Sequence, residues 1–366
     1  MNTAYTCARV SLRAITKNLG VIRKRLGRSG RAGAAVMAVV KSDAYGHGMV
    51  PVSVALEEAG IDALGVAFVH EGVQLRDAGI RVPIYILSGV QHGEEGAVID
   101  KGLSPLLCSR EQFKALNRAA EKRRTRIDVH VKIDTGMGRL GFVYDEAELL
   151  AGSLACYSNV RVTGVATHLS DAAGSAYYTG LQIRRFEGAR RSLESSLSRR
   201  LTAHVANTVA LFSYPASHFD MVRPGIGLYG YGGKGLSPAM SVFSHLISVK
   251  TLRKGTWVSY GRTHRLKRDT RVGVIPMGYA DGYSRMLSNR GFVGIKGKKV
   301  YSIGMVTMNH IMVDINDVDA HVGDGVLVIG EDRDMRIGAD EIASRGSTIS
   351  YEILCGMGLN VRRVYD

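Results

Sequence analysis

The chain is poor in the residues that build cross-linked or metal-held scaffolds. Its four cysteines, Cys7, Cys108, Cys156 and Cys355, include no C-x-x-C pair. The pattern gives no support to a zinc site or a disulfide framework, and reduced thiols in a cytoplasmic protein are expected. No apolar run approaches the roughly 20 residues needed to cross a bilayer. The start, Met1-Asn2-Thr3-Ala4-Tyr5, lacks a basic leader followed by an apolar stretch. Fixed-period repeats and low-complexity tracts are absent as well. Acidic residues are outnumbered 33 to 48, for a net charge of +15, a balance that raises the question of nucleic acid. The cations are dispersed, however. The densest stretch, from Arg184-Arg185 to Arg199-Arg200, is interleaved with Phe186, Leu193 and Leu197 at near-helical spacing, as on the solvated face of an outer helix. Neither nucleic acid nor membrane is expected as a partner. The positive field favours small anions such as phosphates and carboxylates.

The 366 residues, 45% of them hydrophobic, suffice for two domains, one of which has room to be a barrel of roughly 250 residues. Eight apolar runs follow one another, at 35–40, 63–68, 83–87, 103–107, 127–133, 162–167, 201–205 and from 221 toward 228. Amphipathic stretches at 52–59, 71–78, 110–122 and 182–197 separate most of them. Such alternation predicts a parallel sheet buried on both faces, and eight units predict a closed (β/α)8 barrel over 10–235. Beyond the glycine-rich run 230–235 the segments 242–252, 271–276, 291–301, 308–315 and 322–329 are β-like and glycine-punctuated. A smaller, mainly β domain over 236–366, joined by residues 1–9, is expected there. The fold class is α/β.

In such a barrel the chemistry collects at the C-terminal ends of the strands. Here polar groups follow the apolar runs repeatedly: Lys41, then Asp134 and Arg139, His168, Asn207 and Thr208, and Arg223. Taken singly, each has a plainer reading. Lys41 reaches solvent or pairs with Asp43, Lys132 pairs with Asp134, and Arg223 pairs with Asp220. Alternatively, Lys41 is a Schiff-base lysine, partly desolvated so that its amine loses its proton and attacks an aldehyde.

The run Ala38-Val39-Val40-Lys41-Ser42-Asp43-Ala44-Tyr45-Gly46-His47-Gly48 resembles the pyridoxal-phosphate attachment motif of the alanine racemase family, a fold-type III group. So do, in family order, 132–141 (KIDTGMGRLG), 204–208 (HVANT), 223–230 (RPGIGLYG), 258–261 (VSYG) and 278–283 (GYADGY). The resemblance spans almost the whole chain. It implies an isomerase that interconverts L- and D-alanine by a two-base mechanism and supplies D-alanine for peptidoglycan. Lys41 is then one base and Tyr260 the other, the tyrosine coming from the partner subunit of a homodimer with shared active sites. Racemisation needs an acid/base on each face of the cofactor. By the same resemblance Tyr45, Thr208, Gly225 and Ile226 hold the phosphate, and Asn207 and His168 lie near the cofactor. Arg223 faces its ring nitrogen, with His168 linking Arg223 toward Tyr260. Arg139 and Met308 bind substrate, and Lys132 matches a lysine carbamylated in some members. No metal is implied.

Two segments depart from the family pattern. Thr307-Met308-Asn309-His310 stands where Cys-Met-Asp-Gln is common, and Leu359 or Asn360 stands where many members carry a gating tyrosine. A serine or broad-specificity amino-acid racemase is therefore the alternative expectation. Three further readings are weaker: a decarboxylase of the same barrel-plus-β group, a pyridoxal-phosphate carrier resembling the barrel alone, and a basic nucleic-acid binder.

Overall fold

A computed structural model describes residues 6–30, 33–154, 156–333 and 335–366. The leader reading of Met1–Tyr5 falls outside them.

Eight parallel strands, Ala35–Val39, Ala63–Val66, Ile84–Ile86, Ser104–Leu107, Ile127–Asp134, Val160–Ala166, Thr202–His204 and Met221–Val222, close into a barrel. Closure comes from Met221–Val222 pairing with Ala35 and Val36 and from Leu106 and Leu107 pairing with His130 and Val131. Outward valines and leucines pack under the surrounding helices, while Met37, Ala63 and Met221 form an apolar cluster with Ala35, Tyr85 and Leu87 packed against it. The helices begin where their caps predict. Ser109 Oγ accepts the Gln112 N–H at 3.4 Å and opens Arg110–Lys122, whose Phe113, Leu116 and Ala120 are buried on one face. Ser175 caps the long basic helix Ala176–Leu197 in the same way.

The last barrel strand is shorter than its apolar pattern suggests. It ends at Val222 instead of running toward Leu228, because Pro224 has no N–H to give a ladder. The chain turns there, with the Leu228 N–H on Gly225 O at 2.9 Å.

The second domain is mainly β. Its largest sheet includes strands Lys298–Tyr301, Phe292–Ile295, Gly325–Asp332, Met240–His245, Cys7–Val10 and Arg362–Tyr365 in that order. A three-stranded sheet of Ser248–Leu252, Thr270–Ile275 and Ile311–Asp314 accompanies it. The stretch read as one segment at 242–252 is thus two strands in two sheets, broken at Leu246-Ile247. Likewise 291–301 is a hairpin turning at Lys296-Gly297. Two helices, Ala339–Arg345 and Ser350–Asn360, go beyond the β-rich expectation, and the second reaches the barrel mouth. Among the described residues, no helix is long and apolar enough to cross a membrane.

Candidate active site

The C-terminal ends of the barrel strands open into a cavity of about 340 Å³, within the usual range for a small cofactor. Its lining includes Lys41, Tyr45, Lys132, Arg139, His168, Asn207, Thr208, Arg223, Gly225 and Ile226. The even positions of Ile127–Asp134 face inward, which stacks His130, Lys132 and Asp134 in successive layers. Four cationic side chains converge on the cavity, and Asp134 is the one carboxylate among its lining residues. That carboxylate is already engaged: it accepts the N–H groups of Gly136 and Met137, each at 2.8 Å, and of Arg139 at 3.2 Å. It therefore shapes the loop that carries Arg139, and it forms no ion pair with Lys132.

The Lys41 amine has no ion pair or hydrogen bond among the described residues. Asp43 pairs with Arg363 instead. Burial, and then the nearby Arg139, push the Lys41 amine below the ordinary lysine value, with Glu71 and Cys355 opposing. An amine so placed is more readily neutral and nucleophilic. The backbone after it is unusual. Ser42, Asp43, Ala44 and Tyr45 all have φ between 52° and 55°, a left-handed turn that costs on the order of 1 kcal/mol per residue for L-amino acids.

Arg223 is fully enclosed. Its Nη1 donates to His204 Nδ1 at 2.9 Å and to His204 O at 2.6 Å, and its Nη2 donates to the carbonyls of Thr167 and Val205 at 2.6 and 3.1 Å. Burial lowers its pKa to about 10, which leaves it charged at neutral pH. It does not pair with Asp220, which bonds Arg200. Because guanidinium only donates, His204 Nδ1 must be bare. His204 Nε2–H then donates to His130 Nδ1 at 2.8 Å, and His130 carries its proton on Nε2. Both imidazoles are held neutral, His130 with a pKa near 4, chiefly by burial.

His204 and His130 were not singled out as site residues from the sequence, although the strand alternation points both of them inward. His168 lines the cavity, but the side chain that Arg223 bonds among the described residues is His204 and not His168. Burial, followed by Lys132, Arg223, Arg139 and Lys41, holds His168 well below the ordinary histidine value. Its carbonyl is fixed by Gln182 Nε2 at 3.2 Å.

The late loops form a second polar group. Thr208 Oγ1 accepts the N–H groups of Gly225 and Gly227 at 3.2 and 3.1 Å. Asn207 Oδ1 caps the short helix Thr208–Ser213 at Ala210 N. A Cβ on Gly225 would collide with the Tyr45 hydroxyl, so glycine lets that phenol close over the loop. Burial raises the Tyr45 pKa, keeping it a donor. The Ile226 N–H, the Tyr45 hydroxyl and the Arg223 Nε–H have no protein acceptor among the described residues. Tyr351 and Cys355 also line the cavity, carried by the unforeseen helix Ser350–Asn360. Tyr351 supplies a phenol beside Tyr45, ring centroids 5.7 Å apart. Leu359 and Asn360, the two residues that can stand where many family members carry a gating tyrosine, are both exposed and absent from the cavity lining.

Tyr260 and Met308 are brought together elsewhere. They share a surface cleft of about 400 Å³ with Tyr279, Arg285 and His310, and neither lines the Lys41 cavity. Tyr260 is 75% exposed. Ser259, with φ of 65°, turns the chain just before it, and Ser259 Oγ donates to Met305 O at 2.8 Å.

Lys132 yields a pH prediction. Burial first, then Arg223 and Arg139, lower its pKa to about 7, against Cys108 and Asp134. The unfolded chain holds this proton to near 10.5. Above pH 7 the unfolded state therefore binds more protons, and folding gains stability as pH rises. Denaturant melts of the apoprotein should strengthen from about pH 7 to 8.5, and Lys132→Met should flatten that rise. An equal rise in the variant would exclude Lys132 as its source.

A parallel barrel whose C-terminal mouth holds a cavity lined by cationic side chains and free anion donors has the layout of a barrel enzyme. Comparison with known proteins sharpens this. Residues 10–232 match the family described as "Alanine racemase, N-terminal domain", and 239–365 match "Alanine racemase, C-terminal domain". The alanine racemase of Symbiobacterium thermophilum is 41% identical over 98% of this chain and 97% of its own. That of Thermodesulfovibrio yellowstonii is 38% identical over the same shares. Among solved structures, alanine racemase from D-cycloserine-producing Streptomyces lavendulae superposes with a TM-score of 0.94 at 32% identity, covering 100% of this chain and 98% of that one. The Bartonella henselae enzyme, solved with covalently bound pyridoxal phosphate, gives 0.89 at 28% identity, covering 99% and 100%. The chain belongs to the alanine racemase family and is an isomerase.

Proposed function

We propose that the chain interconverts L- and D-alanine by a two-base mechanism using pyridoxal phosphate, as a homodimer with shared active sites, supplying D-alanine for peptidoglycan. The observation that carries this is the Lys41 amine, unpaired and lowered in pKa within a cation-lined cavity. The donor set suits the cofactor. The Tyr45 hydroxyl and the Ile226 N–H, beside Gly225 and Thr208, suit a phosphate, with Asn207 shaping the loop by capping its helix. The free Nε–H of Arg223 suits an acceptor ring nitrogen and has no proton to give up in practice. When bound, the cofactor supplies the electron sink that acidifies the α-carbon proton. Arg223, held charged and fixed by His204, limits how far that sink is protonated, and His168 stays neutral beside it. Arg139 offers a cation to the substrate side of the cavity, oriented by Asp134 through its backbone. Lys132, with a pKa near 7, is a candidate for carbamylation, because the neutral amine is the form that adds carbon dioxide.

Lys41 moves the α-proton on one face. Tyr260 serves the other face, and Met308 lies with it at the substrate carboxylate. Both stand in a cleft apart from the cavity, so a second copy of the chain is the source that completes the site. In this reading 10–235 form the cofactor domain, and 236–366 with 1–9 form the domain contributing Tyr260. The free cysteines suit a reducing cytoplasm. Apoprotein reconstituted with pyridoxal phosphate and given L-alanine should approach equal amounts of both enantiomers in a chiral assay. Folded, cofactor-loaded protein that leaves L-alanine unchanged would overturn the proposal.

A further inference from the structure

The left-handed turn after Lys41 is held from outside the barrel as well as from within it. Within the turn, Ala44 N bonds Val40 O at 2.8 Å, Gly46 N bonds Ser42 O at 3.1 Å and Gly48 N bonds Asp43 O at 2.9 Å. These bonds close the turn, but they do not relieve four consecutive left-handed residues that a free chain would leave. The barrel adds Glu71, whose carboxylate accepts Ser42 N at 2.7 Å, along with the Ala67 and Phe68 N–H groups.

The other restraints come from the last residues of the chain. Arg363, in the strand Arg362–Tyr365, pairs its Nη1 with the Asp43 carboxylate and also donates to Gly46 O at 3.1 Å. Asp43 Oδ1 in turn accepts Met49 N at 2.5 Å. The helix Ser350–Asn360 meets the turn backbone to backbone: a Cβ on Gly46 would lie 2.6 Å from Leu354 O, and one on Gly358 would collide with Gly46 O. Gly48 leaves room for the Tyr365 hydroxyl in the same manner. The strand carrying Arg363 is itself anchored, paired in parallel with Cys7–Val10 and tied by Leu12 N to Asp366 O at 2.9 Å.

We propose that Arg363 is a positioning residue for Lys41. Its ion pair with Asp43 and its bond to Gly46 O, together with the Gly46–Gly358 contact, hold the left-handed turn and so fix the direction in which the lysine amine enters the cavity. The second domain thus acts on the barrel lysine within the same chain, separately from the contribution of Tyr260. This role rests on reading Lys41 as the reacting lysine.

The test is hydrogen exchange by mass spectrometry on the full-length holoenzyme, read with steady-state kinetics. In Arg363→Gln, amides of 42–48 should exchange about tenfold faster or more, while those of 127–134 keep their rates. The kcat for alanine should fall by about tenfold or more, with KM within about twofold. Arg363→Lys should recover part of both effects. Gly358→Ala, which changes no charge, should reproduce the local exchange signature. If Arg363→Gln does not fold, Asp43→Asn carries the test, because it keeps the acceptor for Met49 N and loses the ion pair. Unchanged exchange at 42–48, or equal acceleration at 127–134, overturns the positioning role. The exchange readout does not depend on Lys41 chemistry, so an active Lys41→Ala enzyme would sink the function reading and leave the exchange result to stand or fall alone.

Discussion

Lys41→Ala is expected to abolish racemisation, by at least about 10⁴-fold, because one residue supplies both the covalent hold on the cofactor and one of the two proton-transfer groups. The visible absorbance of the covalently held cofactor should vanish with it, and residual binding through the phosphate donors should become reversible on dialysis. The fold should survive. The amine has no partner to orphan, and its pKa shows that burial disfavours its charge, so removing it relieves a desolvated cation. Denaturant melts matching the wild type, alongside lost absorbance and lost chirality change, separate a chemical defect from unfolding. Retained absorbance and activity would mean that another amine holds the cofactor.

The second large effect is expected from Tyr260→Phe, with racemisation falling by about 10²–10⁴-fold while cofactor affinity and absorbance stay at wild-type values. The geometry separates these readouts: Tyr260 is exposed and lies in the cleft with Met308, remote from the donors that line the cavity. Proton exchange followed in deuterated solvent gives the directional form of the prediction. The variant should still wash out the α-proton of one enantiomer, through Lys41, and lose washout of the other. Equal loss on both faces would contradict a division of labour between the two residues.

Much of this site is legible in the sequence because barrel geometry converts order along the chain into place in space. Polar residues that end an apolar parallel strand must arrive at one mouth, which is why Lys41, Asp134, His168, Asn207 and Arg223 can be grouped from their positions alone. What pairs with what is less legible, since it depends on contacts across strands. Asp43, Asp134 and Asp220 each stand near a cation in sequence, yet they bond Arg363, backbone N–H groups and Arg200 respectively. His204 lies inside a recognised motif, but its part in orienting Arg223 appears only when Thr202–His204 is set beside the loop carrying Arg223.

Two features of the fold escape pattern reading for physical reasons. Ser350–Asn360 buries Ile353, Leu354, Met357 and Gly358 on one face, but a glycine on that buried face and the exposed Leu359 on the other blur its helical period in the sequence. Four L-residues in left-handed conformation have no sequence signature, since only glycine adopts that region without strain. Conversely, Pro224 and the pair Lys296-Gly297 are breaks that the sequence announces, and the shortened last strand and the hairpin follow from them.

Tyr260 sits in a cleft apart from the Lys41 cavity of the same chain. Mixing separately inactive Lys41→Ala and Tyr260→Phe proteins, with subunit exchange allowed, examines the joining of the two half-sites without disturbing either one further. If each site takes Lys41 from one chain and Tyr260 from the other, every hybrid dimer holds one intact site. Random exchange should then restore about a quarter of wild-type activity. If both residues of a site belong to the same chain, no hybrid contains an intact pair, and the mixture should stay as inactive as its components.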